Sequence, residues 1–155
     1  MSTRSETMEL LGSATESARA DAWRYLVPLG RLLLAAPFIL AGPFHFAPAT
    51  IGFAAAQGVP LASVLVPLSG LLASAGGLSI LLGYRARLGA AMVVVFLVPV
   101  TLVMHPFWAA PDPMMAQMQQ AMFMKNLAML GGALLVSYFG AGPFSFDSRR
   151  ERSSR

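Results

Sequence analysis

Two histidines and a Lys-Asn pair carry much of the polar chemistry that this sequence places beside long apolar stretches. His45 and His105 each end such a stretch, and Lys125 and Asn126 open the last one. Imidazole, ammonium and amide groups can donate hydrogen bonds to carbonyl or anionic oxygens. We therefore expect these four residues to form a polar site at one depth, suited to a quinone carbonyl or to an anionic partner surface.

Other interpretations of the same residues stay open. Interfacial hydrogen bonding without further purpose is one, and a metal site is another. A stable metal site needs a third ligand, and Asp112 lies apart on a Pro-bounded loop, so the sequence predicts no metal. The methionines at 114, 118 and 122 could hold Cu(I), but packing or membrane contact is the favoured interpretation, because methionine readily fills irregular apolar surfaces.

Arg31 and Asp147 form a second candidate pair. Arg31 lies about five residues inside the first apolar stretch, where a guanidinium either snorkels to the surface or finds a partner. Asp147 follows a Gly- and Pro-rich run that can turn the chain back toward the membrane. We predict an ion pair between them on the inner side, with a snorkelling arginine and a solvated acid as the alternatives.

Four long apolar stretches must position these side chains. They cover about 26–47, 61–83, 88–105 and 121–140, and only Arg31 and Lys125 are charged within them. A helix of about 20 residues spans the roughly 30 Å hydrocarbon core of a bilayer. The sequence therefore predicts an all-α integral membrane protein, a bundle of four transmembrane helices.

Composition excludes several classes of function. Apolar residues make up 56% of the 155 positions and charged residues 12%, which is too few charges to cover a soluble globule of this size. The net charge of +4 comes from arginines that flank the spans, so no nucleic-acid partner is expected. Cysteine is absent, so any redox role must use a cofactor or a partner.

The basic residues predict the orientation. When the four spans are threaded alternately, Lys125 falls on one side and nine arginines fall on the other. By the positive-inside rule the arginine side is cytoplasmic, and both termini with it. The nine are Arg4, Arg19, Arg24, Arg85, Arg87, Arg149, Arg150, Arg152 and Arg155.

Three regions follow from this organisation. Residues 1–24 form a polar N-terminal tail that we expect to be disordered, 25–147 form the membrane domain, and 148–155 form a basic C-terminal tail. Small residues four apart allow close packing of helices in the membrane. Such pairs are Gly70 with Ser74, Ala73 with Gly77, and Ala128 with Gly132.

Several segments in a fixed order carry a family resemblance. They are Arg31 opening a run that ends in AGPFHF (41–46), GGLSILLGYRARLGAA (76–91), His105, KNLAMLGG (125–132) and GAGPFSFD (140–147). Together they resemble the DoxX family of small four-helix bacterial membrane proteins, over about residues 24–147. Family members often carry Lys at the position of His45 and an acid near Ala73, so the resemblance does not extend to that charge pair.

The resemblance implies a multi-pass protein of the bacterial cytoplasmic (inner) membrane. Its expected role is that of a membrane subunit or docking partner of a quinone-linked oxidoreductase, with a quinone as the candidate cofactor and no catalytic residues of its own. The expected partners are the lipid bilayer, a membrane-associated oxidoreductase and further copies of the chain. The alternative is a small oligomeric transporter or a metal-handling membrane protein.

Overall fold

A computed structural model of the chain describes residues 22–153, together with Met8, Gly12 and Thr15. The predicted N-terminal tail therefore lies almost wholly outside the described residues. The described part is helical and contains no β-strand, which confirms the all-α class. Its helices are α1 (Leu26–Ala41), α2 (Pro48–Ala56), α3 (Ala62–Leu82), α4 (Ala86–Met104), α5 (Pro113–Phe139) and α6 (Phe146–Ser153), with 3-10 turns at Gly42–Phe46 and Phe107–Ala109.

Four of these segments are long and apolar enough to cross a membrane, as predicted. They are Leu26–Phe46, Ala62–Leu82, Ala86–Ala109 and Pro113–Phe139. The last begins at Pro113, whereas hydropathy placed its start near 121. Asp112 explains the earlier start, because its Oδ1 accepts a hydrogen bond from the Met115 amide at 2.9 Å and Pro113 occupies the first helical position.

The spans pack in chain order. α1 packs along α3, α3 along α4, and α4 along α5, whereas α1 touches α5 only marginally. Small and branched side chains fill the centre: Ala35, Phe38, Ala73, Ile80, Ala90, Val93, Phe96, Leu97 and Ala133. Large apolar side chains such as Leu33, Val95 and Leu135 remain exposed on the outside, as expected where lipid is the solvent.

Glycines set the distance between α1 and α3. A Cβ added at Gly70 would lie 2.5 Å from the Cβ of His45, and one added at Gly77 would lie 3.0 Å from the Cβ of Phe38. Ala73 is fully enclosed beside them. On α5, Gly132 faces Leu34, while Ala128 is exposed. The closest approach among these small residues therefore lies between α3 and the first span, where Gly77 faces α1 and Gly70 faces the 3-10 turn Gly42–Phe46.

The two ends of the bundle differ in chemistry. The arginine end contains the start of α1, the turn between α3 and α4, the end of α5, and α6. The histidine end contains the 3-10 turn Gly42–Phe46, α2, and the connection from His105 to Asp112. Tyr25 stacks on Phe144 with ring centroids 5.1 Å apart, so both ends of the described membrane domain meet at the arginine end.

Candidate functional site

An apolar cavity of about 590 Å³ lies at the histidine end. α2 covers it, and α3 and α4 form its walls. Its polar lining comes from His45, Thr50, Ser69 and His105. The Ser69 hydroxyl donates to the carbonyl oxygen of Val66 at 2.7 Å, so its proton is already used. The two imidazoles and the Thr50 hydroxyl are therefore the groups that could bind the polar part of a ligand.

The cavity opens toward the bilayer. Leu68 of α3 and Val95 of α4 line it and are 56% and 63% exposed on the outer surface of the spans. Phe53 of α2 lines it in the same way and is also exposed. An apolar molecule could therefore enter sideways from the membrane without crossing the aqueous phase.

The ring of His45 is held in one orientation. Its Nδ1 lies 3.1 Å from the carbonyl oxygen of Ala41, which can only accept, so Nδ1 carries the proton and donates. Phe96 contacts the ring edge to face at 5.7 Å between centroids, and Gly70 leaves room for the Cβ and Cγ of His45. In the neutral ring Nε2 is consequently an acceptor, and it becomes a donor when the ring is protonated.

His105 ends α4 and joins it to α5. Its Nδ1 lies 2.8 Å from Oε1 of Gln119, a residue of the first turns of α5. Sequence reasoning missed Gln119 because hydropathy did not recognise that part of α5 as helix. The sequence feature that could have identified Gln119 is a glutamine within a Met-rich segment, fourteen residues after His105.

Lys125 and Asn126 do not line the cavity. Lys125 is exposed, with its Nζ 3.4 Å from the sulfur of Met122, whereas Asn126 is buried within the bundle. The structure thus brings the two histidines to one cavity and leaves the Lys-Asn pair outside its lining. Among the residues that the structure describes, no three His, Cys, Asp or Glu side chains are grouped closely enough to hold a metal ion.

At the arginine end, Arg31 holds the segment Gly140–Asp147, which we call the C-terminal hook. The buried guanidinium donates from Nη1 to the carbonyl oxygen of Ala141 at 3.0 Å and from Nη2 to that of Phe144 at 2.7 Å. Its Nε is buried without a hydrogen-bond partner in the described structure. Positive φ angles at Gly140, Gly142 and Phe144 turn the hook back against the bundle.

Asp147 holds the other end of the hook. Its Oδ1 accepts from the Arg85 amide at 2.8 Å and its Oδ2 from the Ala86 amide at 3.0 Å, so it caps the start of α4. The Asp147 amide donates in turn to the carbonyl oxygen of Gly83 at 2.9 Å. Arg31 therefore holds the hook against α1 and Asp147 holds it against the start of α4, each through hydrogen bonds to backbone groups.

Comparison with known proteins identifies relatives of the chain. A model of the SURF4 family matches residues 51–153. The inner membrane protein YqjF of Escherichia coli (strain K12) is 33% identical over 123 residues, which cover 78% of this chain and 88% of the relative. No solved structure matches the chain.

The expected membership of the DoxX family is wrong, because the matching family model is that of SURF4. The segments that suggested DoxX are rich in glycine, alanine and proline, and the structure shows what these residues do. Gly42 and Gly77 allow the first span to pack closely against α3, and the glycines of the hook turn the chain. Any small bundle with close helix contacts needs such residues, so they indicate the architecture more strongly than the family.

Proposed function

The chain belongs to the SURF4 family and is an integral membrane protein, and from this premise we propose that it binds a membrane-soluble amphiphile in the cavity at its histidine end. A quinone is the ligand class that we propose. The carrying observation is an apolar cavity, open to the bilayer, whose lining includes two imidazoles. Its size of about 590 Å³ suits a small-molecule headgroup with the first part of an apolar tail.

The chemistry of the lining supports this ligand class. A quinone headgroup is flat and largely apolar, with carbonyl oxygens that accept hydrogen bonds and that become hydroxyl donors on reduction. His45 offers Nε2 as an acceptor when neutral and as a donor when charged, so it can bind either redox form. Phe96 packs against the same ring and supplies an aromatic wall.

The proposed role is that of a membrane subunit that holds quinone for a membrane-associated oxidoreductase. Cysteine is absent from the chain, so the electrons would pass between the bound quinone and the partner. The relative YqjF is an inner membrane protein, and the same multi-pass location applies to this chain. With the arginine end in the cytoplasm, the cavity lies in the outer half of that membrane.

The test measures binding of a short-chain quinone analogue to the full chain in nanodiscs. His45→Leu and His105→Leu each remove one candidate hydrogen bond, so we expect affinity to fall about three- to tenfold. Lys125→Leu is the matched control, because Lys125 is a predicted polar site residue that does not line the cavity. Equal affinity in the unmodified protein and in all three variants would disprove the histidine site.

A second pair of variants tests the cavity itself. Val95→Trp places a large ring at the lateral opening, at a position exposed enough to leave the core intact. Leu71→Trp adds a ring of the same size to an exposed face of α3 that does not line the cavity. We expect quinone binding to be lost only in Val95→Trp. If Val95→Trp still bound the quinone, the ligand would have to bind outside this cavity.

A further inference from the structure

A second cavity, of about 620 Å³, lies at the arginine end. It is lined by the start of α4, the end of α5, the C-terminal hook and α6. Three arginines line it: Arg85 and Arg87 from the start of α4, and Arg150 from α6. This cavity shares no lining residue with the cavity at the histidine end.

The positive charge of this cavity has little compensation within the protein. In the part of the chain that the structure describes, the guanidinium groups of Arg87 and Arg150 make no hydrogen bond or ion pair. That of Arg85 lies 5.9 Å from the ring centroid of Tyr84 and makes no other contact of this kind. Asp147, the one acid among the described lining residues, directs both oxygens to backbone amides at the start of α4.

The other lining groups narrow the chemistry of the ligand. The hydroxyls of Ser145 and Ser148 donate to carbonyl oxygens within the hook, at 2.7 and 2.9 Å. The guanidinium groups are therefore the principal donors left for a ligand, and they match the geometry of phosphate oxygens. Leu88 and Phe139 line the same cavity and are 56% and 71% exposed on the outer surface of their spans. An anionic group bound here would have apolar surface directly beside it.

We propose that this cavity binds the phosphodiester headgroup of an anionic membrane lipid. The phosphate oxygens accept hydrogen bonds from Arg87, Arg85 and Arg150, and the glycerol and first acyl carbons lie along Leu88 and Phe139. A free phosphate ester would satisfy the arginines but would make no use of these two apolar side chains, which line the same cavity. The adjoining apolar surface therefore favours a lipid over a soluble anion.

The experiment compares lipids bound to the delipidated full-length protein by native mass spectrometry. The probes are phosphatidylglycerol and the zwitterionic phosphatidylcholine, with glycerol 3-phosphate as a soluble competitor. An arginine near anionic lipid contributes about 1 kcal/mol, or about fivefold in affinity. We expect Arg87→Gln and Arg150→Gln each to weaken phosphatidylglycerol binding about fivefold, and Arg87→Lys to retain most of it.

Arg152→Gln is the matched control. It removes the same charge from the same helix as Arg150→Gln, at an exposed position that does not line the cavity. We expect its affinity for phosphatidylglycerol to stay within about twofold of the unmodified protein. An equal loss of phosphatidylglycerol affinity in Arg150→Gln and Arg152→Gln would mean that only general surface charge matters. That result would overturn the proposed lipid site.

The competitor and the second lipid separate the remaining outcomes. Phosphatidylcholine is expected to bind at least about fivefold more weakly than phosphatidylglycerol, and glycerol 3-phosphate to compete only at large excess. Effective competition by glycerol 3-phosphate would assign the cavity to a soluble phosphate ester and overturn the lipid assignment. Thermal unfolding of each variant in the same detergent verifies that the protein compared is folded.

Discussion

Arg31 is buried in an apolar bundle, and the carbonyl oxygens of Ala141 and Phe144 accept its hydrogen bonds. Hydrogen bonds to charged groups contribute about 1.5–3 kcal/mol each. We expect Arg31→Met to lower the free energy of unfolding by at least about 2 kcal/mol, because it leaves both carbonyl oxygens without their hydrogen-bond donor. Arg31→Lys should lose less, since an ammonium can still reach one of them. Denaturant titration in micelles measures both, and an Arg31→Met protein as stable as the unmodified chain would contradict this account.

The predicted ion pair between Arg31 and Asp147 is tested by a double-mutant cycle. Both side chains hold the C-terminal hook, so losing either one loosens the contacts of the other. We expect the losses of unfolding free energy in Arg31→Met and Asp147→Asn together to exceed the loss in the double variant by at least about 0.5 kcal/mol. Strict additivity would mean that the two residues act independently.

Hydropathy alone predicted the four spans, because lipid selects long apolar helices. The start of α5 was harder, since Gln117, Gln119 and Gln120 lower its hydropathy although Asp112 caps it as a helix. The partners of Arg31 were not predictable, because backbone carbonyls carry no residue signature. Likewise, the residue types of Lys125 and Asn126 do not indicate that these two side chains lie outside the cavity lining. That depends on how α5 is rotated against α4.

The contact of the 3-10 turn Gly42–Phe46 with α3 depends on Gly70. An added Cβ would lie 2.5 Å from the Cβ of His45 and 2.8 Å from the carbonyl oxygen of Gly42, and backbone atoms cannot move aside easily. We expect Gly70→Ala to destabilise the protein by about 1–3 kcal/mol through overpacking and to weaken quinone binding by displacing His45. Thermal unfolding and binding in nanodiscs measure the two effects.

Gly131→Ala is the control for this substitution. Gly131 lies in α5, and an added Cβ there meets nothing within 4 Å. Because alanine favours helix more than glycine does, this variant should unfold at the same temperature as the unmodified chain or slightly higher. A matching loss of stability in both variants would show that glycine flexibility, and not the close approach, is what matters.

For the whole molecule, the orientation in the membrane is a prediction. The described ends of the membrane domain lie together at the arginine end, and the positive-inside rule predicts that this end faces the cytoplasm. A single cysteine at Gln57, exposed at the histidine end, should react with an impermeant thiol reagent added to intact cells. One at Arg152 should react only after the cells are opened. The reverse pattern would invert the predicted topology.

The hook also has a consequence for biosynthesis. Arg31 is made early, but its acceptors at Ala141 and Phe144 follow 110 and 113 residues later. At about 5–20 residues per second, the ribosome needs roughly 5 to 20 s to reach them. Throughout that interval the guanidinium must remain near water, lipid headgroups or the insertion machinery, since the hydrocarbon core of the bilayer offers it no acceptor. The first span can therefore bury Arg31 in its final position only after the last residues of the membrane domain have been made.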